Sequence, residues 1–320
     1  MSRILVTGAS GMLGAGVARA LAARGDEVVV MQRRDSGLGL AQVCGDIADP
    51  SAVRRAVEGC EAVIHLAAKV SLVGPLAEFH RINVEGTRNL VQAARQAGVR
   101  RFVQVSSPSV AHAGSALVGA GAGSADPVRA RGHYARTKAE AECIALAADS
   151  ADLSVVAIRP HLVWGPGDEQ LIARIVARAK AGRLVLISGG RALIDTTYLD
   201  NAVDAMLAAC DRADQPQVHG RAFVVSNGEP RTVAELLTRI AESGGAPPPR
   251  RSVPFVIAWA AGRVVESAWA ILRRPGEPPM TAFLAEQLAT AHWFDQRATR
   301  QALGWCPRVS LDEGFIRLAQ

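Results

Sequence analysis

The stretch Ile4-Leu5-Val6-Thr7-Gly8-Ala9-Ser10-Gly11-Met12-Leu13-Gly14 sets a short apolar strand against the start of a helical pattern, with a glycine at every third position of the turn between them. Such a turn needs a positive φ, close backbone approach to a bound group, and tight packing of helix on sheet, and glycine meets all three because it has no Cβ. A helix starting there offers free N–H groups and the positive end of its dipole to a pyrophosphate. Directly after a strand and before a helix, the spacing reads as a nicotinamide-dinucleotide turn formed by Gly8, Ser10, Gly11, Met12, Leu13 and Gly14.

Outward from this turn the pattern repeats. Unbroken apolar runs recur at Ile4 to Val6, Val28 to Met31, Ala62 to Leu66, Phe102 to Val105 and Leu153 to Ile158, as suits strands covered on both faces of a parallel sheet. Helix-length patterns lie between them at Met12 to Arg24, Ser51 to Glu58, Glu78 to Ala97 and Tyr134 to Ala148. The alternation predicts an α/β fold, a doubly wound Rossmann-type parallel sheet. Beyond Ile158 the order loosens: Gly165-Pro166-Gly167 breaks the chain, a helical stretch runs from Glu169 to Lys180, and Asp200 is placed to start a helix over Asn201 to Cys210. Residues 1–164 and 191–226 are expected to form the dinucleotide-binding domain, and 165–190 and 227–320 a smaller, mainly helical substrate domain. Gly114 to Ser124, rich in Gly, Ala and Ser, is expected to be a mobile loop.

The chain has 320 residues, 49% of them hydrophobic, and a formal charge of +6. No run of five or six like charges concentrates that field, so a nucleic-acid partner is not expected. Cys44, Cys60, Cys143, Cys210 and Cys306 are odd in number and free of C-x-x-C pairs, which argues against a disulfide framework and a metal site and suits a reducing cytoplasm. No apolar stretch of signal-peptide length opens the sequence. The one long apolar stretch, Val253 to Leu272, carries Arg263 and Glu266, spaced to pair with each other, and each costs about 2.5–3.5 kcal/mol at a bilayer centre. It is expected to line a greasy substrate entrance; resting on a membrane surface with Arg273 and Arg274 at the headgroups, or simply packing, are the alternatives. A homodimer is expected.

The cofactor is decided at the end of the second strand, where a carboxylate would bind the ribose 2′-hydroxyl of NAD and arginine the 2′-phosphate of NADP. Gln32-Arg33-Arg34 stands there, favouring NADP(H), with Asp35 close enough to leave NAD(H) open. Asp46 and Ile47 follow the third strand, where the carboxylate is placed either for the adenine amino group or for an ordinary turn. Tyr134 and Lys138 stand four residues apart on one helix face, so a phenol lies beside an ammonium, expected to lower its pKa toward a general acid or base. Ser106 and Ser107 end the strand Phe102 to Val105, where a hydroxyl can bind a substrate carbonyl oxygen.

Thr7-Gly8-x-x-Gly11-x-x-Gly14, the serine pair and Tyr134-x-x-x-Lys138 together resemble the extended short-chain dehydrogenase/reductase family across nearly the whole chain. Within it the sequence is most similar to the 3β-hydroxysteroid dehydrogenase branch, which includes 2-alkyl-3-oxoalkanoate reductases. The segments that suggest this are Val63 to Ala68, Asn83 to Thr87, Arg159 to Pro166 and Leu193 to Tyr198. The resemblance implies an oxidoreductase interconverting a ketone and a secondary alcohol on a small hydrophobic substrate. It makes Tyr134 the proton donor or acceptor, Lys138 its partner on the nicotinamide ribose, and Ser107, or alternatively Ser106, the carbonyl-orienting hydroxyl. It further places Leu66, Ala67, Ala68 and Lys69 near a cofactor ribose, and Pro160 and Val163 beside the nicotinamide. Leu162, Trp164 and Tyr198 are the substrate-side candidates, Asn83 ties helix to sheet, and His65, His133 and His161 carry no chemistry. Nucleotide-sugar epimerases and dehydratases share the fold but usually carry Asn where Leu162 stands; a non-catalytic NADP-sensing regulator would lack the complete Ser, Tyr, Lys set.

Overall fold

The computed structural model describes every residue except Met1, Leu72, His112, Ala113, 273–275 and Glu277. Seven parallel strands form its main sheet: β1 (Arg3–Thr7), β2 (Glu27–Gln32), β3 (Ala41–Cys44), β4 (Ala62–His65), β5 (Arg101–Val105), β6 (Ser154–Pro160) and β7 (Arg221–Val225). The spatial order is β7-β6-β5-β4-β1-β2-β3. Thr7 pairs with Met31 on one side and His65 on the other, so the strand order reverses at β1 and opens a crevice at its carboxyl end.

Alternation within each strand splits the core into two layers. Ile4, Val6, Val30 and Ile64 face a cluster with Val17 and Leu21 of α1 (Met12–Ala23). Leu5, Val29 and Val63 face Val53 of α2 (Pro50–Val57) and Leu90 of α3 (Gly86–Gln96). Because both faces are covered, the strands read as unbroken apolar runs. β7 escaped the sequence pattern because it opens on an exposed Arg221 and lies far from any motif.

Ahead of α3, the stretch expected as one helix from Glu78 is continuous but irregular. Leu76–Phe79 is α-helical, His80–Glu85 is a π-helical segment, and only then does α3 begin. α4 (Gly132–Leu146) carries Tyr134 and Lys138. α5 (Leu199–Arg212) has Tyr198 rather than Asp200 at its N-cap position; Asp200 lies in the first turn and pairs with Arg317 at 3.0 Å. The helix expected from Glu169 forms over Ile172–Lys180.

Gly114 to Ser124 departs from the expected mobile loop. Leu117–Ala120 is a strand paired with His292–Phe294, in a small sheet with Leu193–Ile194 and Arg231–Thr232. Glycine content misled because Gly119, at φ +60, supplies the irregular step that seats the chain against the Trp293 ring. Val185–Ile187 pairs with Arg251–Val253, which leads into α6 (Phe255–Ile271) and α7 (Ala282–Ala289). The chain then returns to the main sheet, where Leu303 and Trp305 are buried with Val6 and Val30. No helix among the described residues is long and apolar enough to cross a membrane.

Candidate active site

The glycines of the first turn divide by role. Gly8 sits at φ +77, and a Cβ there would stand 2.8 Å from the Ala67 nitrogen; a Cβ on Gly14 would collide with the Gly8 carbonyl. Both are required by the protein's own packing. A Cβ on Gly11 would meet nothing closer than the Gly8 oxygen at 3.6 Å, in ordinary contact. Gly11 is also the N-cap of α1, with no side-chain cap on the helix's free N–H groups. An open, uncapped helix end beside a residue without a side chain fits a pyrophosphate.

Along the carboxyl edge, Ala67 N–H donates to Thr7 Oγ1 at 3.1 Å, closing the segment Leu66 to Lys69 over the end of β1. Asn83 accepts the Lys69 N–H at 2.7 Å and donates to Lys69 O and to Thr137 Oγ1 on α4, tying this segment to the helix that carries Tyr134. His65 is buried between the Thr7 and Thr87 hydroxyls, at 2.7 and 3.1 Å. Burial, helped by the Lys138 charge, drops its pKa to about 3, so the ring is neutral and braces the sheet.

At the end of β2, Gln32 is buried and donates to Gln42 Oε1 at 3.3 Å, while Arg33 and Arg34 are exposed. Asp35 accepts the Gly37 N–H at 3.0 Å in a local turn. Asp46 accepts from the Ala48 N–H and from Arg81, both at 2.9 Å. Ile47 is buried beside it.

Tyr134 lies in the first turn of α4 and is partly exposed. Burial pushes its pKa up to about 12, against a hydrogen bond with Ser107 that acts to lower it. The expected lowering by Lys138 is therefore not met: desolvation raises the pKa, and what opposes it is the Ser107 hydrogen bond. Lys138 is only 4% exposed, and its Nζ donates to the Val105 carbonyl at the end of β5. Desolvation brings its pKa down to about 8, opposed by the charge of Glu142. Ser107 also accepts from the Ser109 hydroxyl at 2.9 Å. Ser106 differs: its Oγ is buried without a partner among the described residues, and it is Ser107 that bonds the phenol.

Sequence patterns gave no sign of what anchors the other end of this arrangement. Arg159 on β6 and Glu142 on α4 form an ion pair with both side chains fully buried, and Arg159 also donates to the Ala122 and Gly123 carbonyls. Glu142 follows Lys138 by one helical turn, so the pair pins α4 to the sheet behind the ammonium. An arginine inside an otherwise apolar strand is the one signal that could have pointed to it.

In front of Tyr134 opens a cavity of about 270 Å³, lined also by Ser109, Arg131 and His133 and closed by Trp259, Arg263 and Glu266 of α6 and Phe283 and Glu286 of α7. Arg263 and Glu266 do not pair as their spacing suggested: Glu266 accepts the Ala282 N–H at 3.2 Å, and the Arg263 guanidinium lies over the Trp259 ring. Phe255 packs with Ile187, Ala258 and Ala285 instead of facing the cavity. Two substrate-side candidates are corrected outright. Trp164, 1% exposed, donates Nε1–H to Thr196 Oγ1 and stacks on Phe315 at 4.7 Å; Tyr198 meets it edge-on at 5.4 Å. Both are core of the C-terminal unit, sealed from any ligand. Leu162 is exposed, at a left-handed φ of +43, between the half-exposed Pro160 and Val163.

A doubly wound sheet with an uncapped glycine turn at its switch point, and a Ser-Tyr-Lys set at the same edge, defines a dinucleotide-dependent oxidoreductase. Residues 4–226 match the profile of the NAD dependent epimerase/dehydratase family, and the chain belongs to that family. It is 42% identical to a 2-alkyl-3-oxoalkanoate reductase of Stenotrophomonas maltophilia, over 99% of this chain and 98% of that one. It is 32% identical to a 3 beta-hydroxysteroid dehydrogenase/Delta 5-->4-isomerase of Mycobacterium tuberculosis, over 98% and 89%. Among solved structures, MoeE5 in complex with UDP-glucose and NAD superposes with a TM-score of 0.76 at 26% identity, covering 99% and 97% of the two chains.

Proposed function

We propose that the protein is an NADP(H)-dependent ketoreductase that interconverts the ketone of a 2-alkyl-3-oxo acid and the matching secondary alcohol. The observation that carries this reading is Tyr134, which lines the cavity under α6 and α7 and is backed by Ser107 and, one helical turn on, by the buried Lys138. The near full-length likeness to a 2-alkyl-3-oxoalkanoate reductase supports the substrate class.

When bound, the dinucleotide supplies two electrons and a hydrogen to the carbonyl carbon. The uncapped N–H groups at Met12 and Leu13, with Ser10 and the side-chain-free Gly11 beside them, suit its pyrophosphate, and Asp46 with Ile47 its adenine. Arg33 and Arg34, which have no ion pair among the described residues, suit a 2′-phosphate. Leu66 to Lys69, Pro160 and Val163 border the remainder. Ser107 holds the carbonyl oxygen, and Tyr134, protonated across the neutral range because of its burial, gives its phenol proton to the developing alkoxide. The tyrosine O–H bond breaks as the product O–H forms, and the reverse sequence oxidises the alcohol. Lys138 holds positive charge at Nζ near neutrality and stabilises the phenolate left on Tyr134. Val256, Ile257 and Val264 of α6, all exposed, favour contact of this roof with alkyl chains or a lipid surface; Arg273 and Arg274, the expected headgroup contacts, lie outside the described residues.

The test is a spectrophotometric assay with NADPH and NADH against 2-alkyl-3-oxo acids, 3-oxosteroids and UDP-sugars. Oxidation of NADPH with the oxo acids is expected. Turnover of UDP-sugars alone would overturn the reading in favour of an epimerase, and tight dinucleotide binding without turnover of any substrate in favour of a sensor.

A further inference from the structure

The cavity before Tyr134 carries charge that ketone chemistry alone does not need. Arg131, Arg263, Glu266 and Glu286 all line it. Three of the four are engaged. Glu286 accepts from Arg131 at 2.6 Å and from Trp259 Nε1 at 3.1 Å, and Glu266 accepts the Ala282 N–H where α7 begins. Arg263 has no carboxylate within ion-pair distance among the described residues; its guanidinium lies over the Trp259 ring, 5.9 Å from the centroid.

We propose that Arg263 is the binding site for the substrate's carboxylate, so that this reductase selects the free 3-oxo or 3-hydroxy acid over its neutral esters and over ring ketones. The assignment rests on the ketoreductase reading above and adds the group that chooses among its substrates. A guanidinium lying over an indole face keeps its N–H groups available for a two-pronged bond to a carboxylate. A carboxylate entering beside Glu266 and Glu286 would lose water and meet like charge, and an uncommitted cation is what offsets both. In a 3-oxo acid the carboxyl carbon is two bonds from the ketone carbon. A single cavity containing both Tyr134 and Arg263 therefore suits a ligand with those groups close together.

Free 3-oxo acids lose carbon dioxide spontaneously, so the measurement uses the stable partner, a medium-chain 2-alkyl-3-hydroxy acid, and its methyl ester, each oxidised with NADP⁺. Wild type is expected to prefer the acid. In Arg263→Gln the acid-to-ester ratio of kcat/KM should fall roughly 10- to 100-fold, through KM, and Arg263→Lys should recover part of it. An unchanged ratio in Arg263→Gln, an equal loss on acid and ester, or a wild-type preference for the ester would each overturn the carboxylate site while leaving the ketoreductase standing. A wild type that binds NADP⁺ but oxidises neither compound would overturn the ketoreductase reading and the site together.

Discussion

Burial acts on Tyr134 and Lys138 in opposite senses, raising one pKa to about 12 and lowering the other to about 8, and each disfavours the charged form. Between about pH 8 and 10.5 the unfolded chain holds a proton that folded Lys138 has released, so this residue makes stability rise with pH across that window. Lys138→Met should accordingly be more stable than wild type at pH 7, by about 1–3 kcal/mol, while losing turnover. Urea unfolding at pH 7 and pH 10 checks it: a variant less stable at pH 7 would contradict the cost assigned to the buried ammonium. Tyr134→Phe should lower kcat by about 10²- to 10⁴-fold with dinucleotide affinity retained, as read by steady-state rates and a fluorescence titration. Ordinary rates in that variant would remove the phenol from the mechanism.

At the level of elements, the first turn separates folding from binding. Gly8→Ala and Gly14→Ala should each cost about 1–3 kcal/mol or more, because a Cβ meets backbone that cannot move. Gly11→Ala, at φ −86 with only an ordinary contact at its Cβ, should melt near wild type yet bind the dinucleotide at least about tenfold more weakly. Thermal melts paired with binding titrations decide it, and equal behaviour of all three variants would contradict the division. The anchor behind the site makes a second case. Glu142→Gln leaves Arg159 charged and buried without its counter-charge, which should cost about 3–5 kcal/mol in urea unfolding.

Across the whole molecule, the C-terminal unit is not a detachable addition. Leu303 and Trp305 lie in the same core as Val6 and Val30, so a chain ending at residue 290 should fail to give a cooperative thermal transition by circular dichroism. A sharp, near-native melt would show that the unit contributes little to the sheet. The same geography explains what could be read from the sequence. β1, the glycine turn and the Tyr134/Lys138 spacing are local and periodic, and they were legible. Trp164 and Tyr198 sat inside a family motif yet proved to be core, because their burial depends on Phe315, more than a hundred residues away. Arg263 suggested an ion pair with Glu266 by spacing, and only the folded position of Ala282 shows that Glu266 is occupied. Long-range partners of this kind leave no periodic trace.

The π-helical segment His80–Glu85 holds Asn83 where it can reach both Lys69 and Thr137. Each residue of a helix turns the chain by about 100°, so adding or removing one here would swing Asn83 away from both partners. The segment thus carries information in its length as well as its letters. Among related chains, insertions and deletions should accumulate in the surface turns and spare residues 80–85, and a one-residue deletion there should uncouple α4 from the crevice while every side chain of the site is still present in the sequence.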